Sequence, residues 1–174
     1  MDSRPVHNQK IIQCFWRLPC QDQIKISCDG CSKGNPGLGG AGIVIRDYKG
    51  ETLAAMSVGL GICTNFVAEL FAIILGLEWA LENGCRRSWV ASDSAAAIRC
   101  FWKDKVPLFI RARWNNIKRS LCISFSLVYR ECNFAADTMA KRGASLPLGT
   151  RETFNHKPAF LVVENPDSTY FRFS

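Results

Sequence analysis

A chain of 174 residues with 48% apolar content has material for one domain with a sizeable core and too little for two comparable ones. Its formal charge of +7 favours a polyanionic partner, because lysines and arginines on a folded surface attract phosphates without reading sequence. The longest apolar run, Leu70 to Leu77, is stopped by Glu78 and falls short of the roughly 20 residues a membrane span needs, so no membrane association is expected.

Residues 1–23 show no sustained period, are interrupted by Pro5 and Pro19, and hold no apolar stretch long enough for a signal-peptide core. They read as a leader or linker. With nine cysteines, an odd number, and no secretory signal, the expected setting is a reducing intracellular compartment, nucleus or cytoplasm. From Ile24 a pattern begins: Ile24, Ile26 and Cys28 alternate with Lys25, Ser27 and Asp29, the period of a half-buried strand with Asp29 opposite the apolar set. A glycine-rich turn follows through Gly34, Asn35 and Pro36. Residues 41–46 and 51–58, separated by the turn residues Asp47 to Gly50, read as a hairpin.

Next, Thr64 or Asn65 can cap a helix in which Phe66, Leu70, Ile73, Leu77 and Leu81 recur at helical spacing, ending at Asn83 and Gly84. Ser88 to Ser92 is too apolar to leave either face in water and reads as a central strand. Asp93 and Ser94 open a short helix, and a second helix over about 109–121 places Ile110, Trp114, Ile117 and Leu121 on one face. Ile123, Phe125, Leu127 and Tyr129 alternate as a fifth strand, Asn133 can cap a last helix, and Gly143 can end it. The remainder, with prolines at 147, 158 and 166, reads as an extended tail with one strand near Phe160 to Val163. The whole predicts an α/β fold. Three antiparallel strands come first and parallel strands follow, giving a five-stranded mixed sheet flanked by helices. Its domain spans 24–145, between the leader and a tail of residues 146–174.

Four carboxylates stand at the ends of these elements. Asp29 and Asp93 end strands, Glu69 lies in the second turn of the first long helix, and Asp137 lies in the first turns of the last. Strand ends and the helix starts above them converge on one edge of a sheet. Carboxylates gathered there repel one another unless protonated or neutralised, and the ordinary cation for an all-oxygen site is Mg²⁺, with Mn²⁺ as a substitute. Two such ions roughly 4 Å apart can hold the attacking water and the leaving oxygen of a phosphodiester cleavage. Taken singly, each acid reads first as a turn or cap residue.

The sequence around the four acids is similar to the type 1 ribonucleases H. The matching blocks are Asp29-Gly30 through Gly34-Asn35-Pro36-Gly37 and Gly39 to Gly42, Thr64-Asn65 with Ala68-Glu69-Leu70, Ser92-Asp93-Ser94, and Asn133 with Ala136-Asp137 and Ala140. The resemblance covers about residues 24–143. It implies a ribonuclease H-like fold and cleavage of the RNA strand of an RNA/DNA hybrid by a monomer, with Asp29, Glu69, Asp93 and Asp137 binding two Mg²⁺ ions. It further implies that Gly34, Asn35 and Asn65 meet the ribose 2′-hydroxyls and that Thr64 holds a phosphate of the DNA strand. Ile24-Lys25-Ile26 and Arg130-Glu131-Cys132-Asn133 resemble more narrowly the ribonuclease H domains of plant genomes, alone or within retroelement polyproteins.

Several positions depart from the family pattern. Many members carry a His on a loop before the last Asp, whereas this chain has only His7 and His156. Arg130 or Glu131 could partly substitute. Ala95 and Phe66 stand where polar contacts are frequent. A catalytically weak or inactive nucleic-acid-binding module is therefore the alternative. Lys103, Lys105, Arg111 and Arg113, interleaved with Trp102 and Trp114, lie where some relatives grip the DNA strand; an ordinary solvated helix face is the competing reading. Trp114 reads as core. Cys28 and Cys31 bracket Asp29 without a second such pair and read as packing side chains, not a zinc or redox site. Trimming from a 3′ end is disfavoured, because such nucleases usually place two acids one residue apart on the first strand.

Overall fold

The computed structural model describes residues 8–174; the first seven residues of the predicted leader, His7 among them, lie outside the described residues. Among the described residues eight strands and four α-helices follow, with one 3-10 turn, Arg130–Cys132, before the last helix. The main sheet is formed by β2 (Ile24–Lys33), β3 (Gly37–Arg46), β4 (Thr52–Cys63), β5 (Arg87–Ser92), β6 (Cys122–Leu127) and β7 (Arg151–Phe154), in the order β6-β5-β2-β3-β4-β7. β2, β3, β4 and β7 pair antiparallel, while β5 and β6 join β2 in parallel. The expected five strands are therefore six: β7 arises in the segment read as tail and pairs with β4. A separate two-stranded ribbon joins β1 (Ile11–Cys14) to β8 (Tyr170–Phe173). The strand anticipated near Phe160 is absent, and Leu161 instead packs as a buried side chain.

Periodicity explains the layers. Ile24, Ile26 and Cys28 point into one core with Ile43, Ile45 and Met56, beneath α1 (Asn65–Glu82), α2 (Ala95–Trp102) and α3 (Leu108–Lys118). The odd-numbered face of β2 and the residues beside it meet α4 (Phe134–Ala144), where Val44 and Ala55 join Ala135, Met139 and Leu161. The helix α4 lies close to β3 because Gly42 has no Cβ: one there would meet Ala140 N at 2.2 Å. Thr64 caps α1 as expected, its hydroxyl accepting from Val67 N–H at 3.2 Å, and Asn83 ends it. Asn133 behaves differently from its predicted capping role. Its Nδ2 donates to Cys28 O at 2.9 Å, and the α4 start is met by Glu164, whose Oε2 accepts from Ala135 N–H at 3.0 Å.

The arm before β2, residues 8–23, and the tail after α4 build a buried charge cluster on this same side. Lys25, Arg46 and Glu164 are all at most 3% exposed, and Trp16 lies between the two cations at 2%. Lys25 Nζ is 4.3 Å from the Trp16 ring centre and 4.1 Å from that of Trp89, while Arg46 Cζ is 3.8 Å above Trp16. Lys25 donates to Arg17 O at 2.9 Å, Arg46 to Glu164 O at 2.8 Å, and the Glu164 carboxylate is 3.9 Å from Arg46. Cation–π contacts of this kind gain strength when desolvated.

Candidate active site

Strand β5 ends beside the middle of β2, with Cys28 paired to Ser92 in register, so Asp93, just past β5, comes beside Asp29. Asp29 lies inside its strand and not at the end as expected, because pairing with β3 carries β2 on to Lys33. Glu69 reaches them because Gly30 lets α1 approach: a Cβ at position 30 would lie 2.3 Å from Glu69 N and 2.4 Å from Ala68 C. Asp29, Glu69 and Asp93 each offer a carboxylate oxygen within 4.8 Å of the others. Asp137, from the first turn of α4, lines the same open cleft of about 560 Å³. Its Oδ2, however, is held by Lys141 Nζ at 2.8 Å, one helical turn on. The structure thus gathers three of the four predicted acids tightly, with the fourth alongside and turned toward a lysine.

The electrostatics are strained in one direction. Burial, reinforced by the charges of Glu69 and Asp93, pushes the Asp29 carboxyl far above the usual carboxylate range. Burial also raises Glu69, to about 7. Asp93 is raised by burial despite Arg130, whose Nε lies 3.6 Å from Asp93 Oδ2. Glu69 Oε2 is buried and has no hydrogen-bond partner. An all-oxygen donor set with an unpartnered buried acceptor fits a hard divalent cation, which would return these groups to their ionised form.

The predicted nucleic-acid contacts fall into two groups. Gly34, Asn35, Thr64 and Asn65 are exposed beside the cleft, and Asn35 Oδ1 accepts from Asn65 N–H at 2.9 Å, locking the β2–β3 turn to the start of α1. Thr64 is occupied as the helix cap. Of the four basic residues after α2, Lys103 and Lys105 are exposed. Arg111 donates to Asp104 O and Val106 O, both at 2.9 Å, bracing the loop. Arg113 is bonded to Glu78 of α1. Trp114 is buried, with its Nε1 donating to Asp104 at 2.7 Å. The side chains of Cys28 and Cys31 leave the strand on opposite faces, toward Ala72 O and Ala140 O, as expected of packing residues.

Lys141 and Glu164 escaped the sequence reading. Lys141 carried a signal in its i,i+4 spacing from Asp137; Glu164 carried none.

A profile of the reverse transcriptase-like family matches residues 27–143. A protein of Arabidopsis thaliana provisionally named a ribonuclease H protein is 34% identical over 139 residues, which is 77% of this chain and 22% of the relative. The N-terminal ribonuclease H domain of a Mycobacterium tuberculosis protein superposes with a TM-score of 0.65 at 27% identity, covering 71% of this chain and 99% of that one. A ribonuclease H1 solved in complex with an RNA/DNA hybrid gives a TM-score of 0.61 at 30% identity, covering 70% and 96%. This chain therefore spans about a fifth of the length of its Arabidopsis relative. Among the described residues no helix is long and apolar enough to cross a membrane.

Proposed function

The chain belongs to the ribonuclease H family, and from that premise we propose that it is a metal-dependent endonuclease cutting the RNA strand of RNA/DNA hybrids. The observation that carries this reading is the trio of the buried Asp29 and Glu69 with the partly buried Asp93, mutually close, in which Glu69 Oε2 has no hydrogen-bond partner. Asp29, Glu69, Asp93 and Asp137 would hold the cations. Two Mg²⁺ ions, or Mn²⁺ in their place, would supply there the polarising charge that activates a water and stabilises the leaving oxygen. Asn35 and Asn65, already joined by their hydrogen bond, present polar groups to the minor groove, where the 2′-hydroxyl separates RNA from DNA. Thr64 adds a contact to a DNA-strand phosphate, and Lys103 and Lys105 supply exposed positive charge farther along the duplex.

A second reading, a nucleic-acid-binding module that cuts weakly or not at all, is favoured by one observation. The turn before α4 holds no histidine, and Arg130 points at Asp93 in that region. Incubating the protein with an internally labelled hybrid, with and without Mg²⁺ or Mn²⁺, separates the two. Metal-dependent internal RNA cuts, lost in Asp93→Asn, support the nuclease; intact RNA at every metal concentration overturns it.

A further inference from the structure

The carboxylate cleft does not end at Asp93. A second cavity of about 400 Å³ continues beyond it, lined by Asp93, Leu127, Val128, Tyr129, Arg130 and Arg172. Asp93 and Arg130 line both spaces and form the wall between them. The Arg130 side chain is 77% exposed. Its guanidinium sits 3.6 Å from Asp93, too far for a tight hydrogen bond, so most of its five donors face open space.

The turn carrying Arg130 is held from an unexpected quarter. Arg172 belongs to β8, outside the stretch matched by the family profile. Its Nη1 donates to Glu131 Oε1 and Oε2 at 3.5 and 3.4 Å, and its Cζ lies 5.1 Å over the Tyr129 ring. Arg172 therefore grips the residues on both sides of Arg130. The same strand is fastened to α4 by Tyr170, whose ring meets Phe134 edge-on at 5.6 Å, and to the arm by its pairing with β1.

We propose that Arg130 binds a phosphate of the RNA strand in this second cavity, next to the cut, and that Arg172 is the positioning residue that aims it there. The proposal rests on the ribonuclease reading for its substrate. A guanidinium suits the site because it presents donors in a fixed fork to a phosphate and keeps its charge at any working pH. Arg172 is itself committed to Glu131 and Tyr129, which makes it a brace and leaves Arg130 as the contact.

The test uses the full chain and a short labelled hybrid. Affinity is measured by fluorescence anisotropy in EDTA over a salt series, and kcat and KM are measured in Mg²⁺. Arg130→Ala should bind about 10-fold more weakly, the scale of a charge-assisted hydrogen bond, and the slope of log affinity against log salt should shrink by about 0.9, one phosphate contact. Arg130→Lys should recover the slope and part of the affinity. Arg172→Ala and Glu131→Ala, which break the same tie from its two ends, should each give a smaller loss of the same kind. The double variant Arg130→Ala/Arg172→Ala should be no worse than Arg130→Ala alone, because a brace has nothing left to aim. A loss in the double variant equal to the product of the two singles would show Arg172 to be merely structural and overturn its positioning role. Wild-type affinity and salt slope in Arg130→Ala would overturn the phosphate contact. The binding arm needs no turnover, so an inactive wild type defeats the nuclease reading alone, whereas a wild type that fails to bind the hybrid defeats both.

Discussion

Two clusters of buried charge lie on opposite parts of the sheet, and they are built on opposite principles. Behind the sheet, Lys25 and Arg46 are sandwiched with Trp16 and faced by Glu164, so the chain supplies its own compensation. In the cleft, Asp29, Glu69 and Asp93 face one another, and the cations that line it among the described residues, Arg130 and Lys141, stand at the rim. In the first arrangement opposite charges and ring faces offset part of the cost of burial, which still shifts Lys25, Arg46 and Glu164 toward their neutral forms. In the second like charges add to that cost, and such opposition inside a folded protein is the usual mark of a site that awaits a partner.

The comparison can be broken most severely at the front. Asp93→Asn should lower hybrid cleavage by about 10³-fold or more, the scale expected for one indispensable catalytic group, as read in a single-turnover assay. At the back, Trp16→Ala should leave the chemistry in place but cost about 3–5 kcal/mol of stability by opening a void under two buried cations, measured by urea unfolding. Asp29→Asn should do the reverse, abolishing turnover while raising the unfolding free energy in EDTA at pH 8 by on the order of 1 kcal/mol. Equal destabilisation by both substitutions would remove the distinction between the clusters.

The pH dependence sharpens it. Asp29, Glu69 and Asp93 titrate higher in the folded protein than in the unfolded chain, so above the ordinary carboxylate range the folded state binds more protons. Stability in EDTA should therefore fall as pH rises from about 4 through the Glu69 value of about 7. Added Mg²⁺ should raise the melting temperature, and more at pH 8 than at pH 5. At the back, burial lowers Lys25 from 10.5 to about 8; between those values the unfolded chain holds the extra proton, so stability should rise with pH there, with or without metal. A melting series at fixed salt checks both slopes. Gly30→Ala, a smaller disturbance, should displace the start of α1 from Asp29 and cost about 1–3 kcal/mol, with kcat falling more than stability predicts. Smallest of all, Lys105→Ala should weaken hybrid binding by a few-fold at most and lessen its salt dependence, while leaving unfolding unchanged.

The front of the molecule was far more legible than the back. Helix α1 is legible in its 3.6-residue period and in Thr64 and Asn83 at its ends, and Asp93 and Asp137 sit at a strand end and a helix start as expected, whereas Asp29 lies inside β2. What fixed their final positions was less visible. That Gly30 admits the backbone of Glu69, or that Asp137 turns to Lys141, depends on contacts across helices and strands. The back was almost silent. Trp16 and Glu164 are brought to Lys25 and Arg46 by chain closure over as many as 118 positions, and such pairing leaves no local period. For the same reason β7 and the β1–β8 ribbon read as tail and leader, and Asn133 read as the cap that Glu164 supplies.

The ribbon has a mechanical consequence. Lys10 and Ser174 are hydrogen-bonded to each other, N–H to carbonyl in both directions at 2.9 and 3.0 Å, so the two strands lie side by side and meet at one end. Tension applied across Lys10 and Ser174 would load those bonds one pair at a time, as a zipper opens, and not all together as in a sheared sheet. The ribbon would yield before the main sheet bore any load. Arg172 pairs with Ile12, two steps into that zipper, so the brace beside Asp93 would be released while the carboxylate cluster was still in place. Tension on the ribbon would thus be felt at the cleft first through its most easily parted strands.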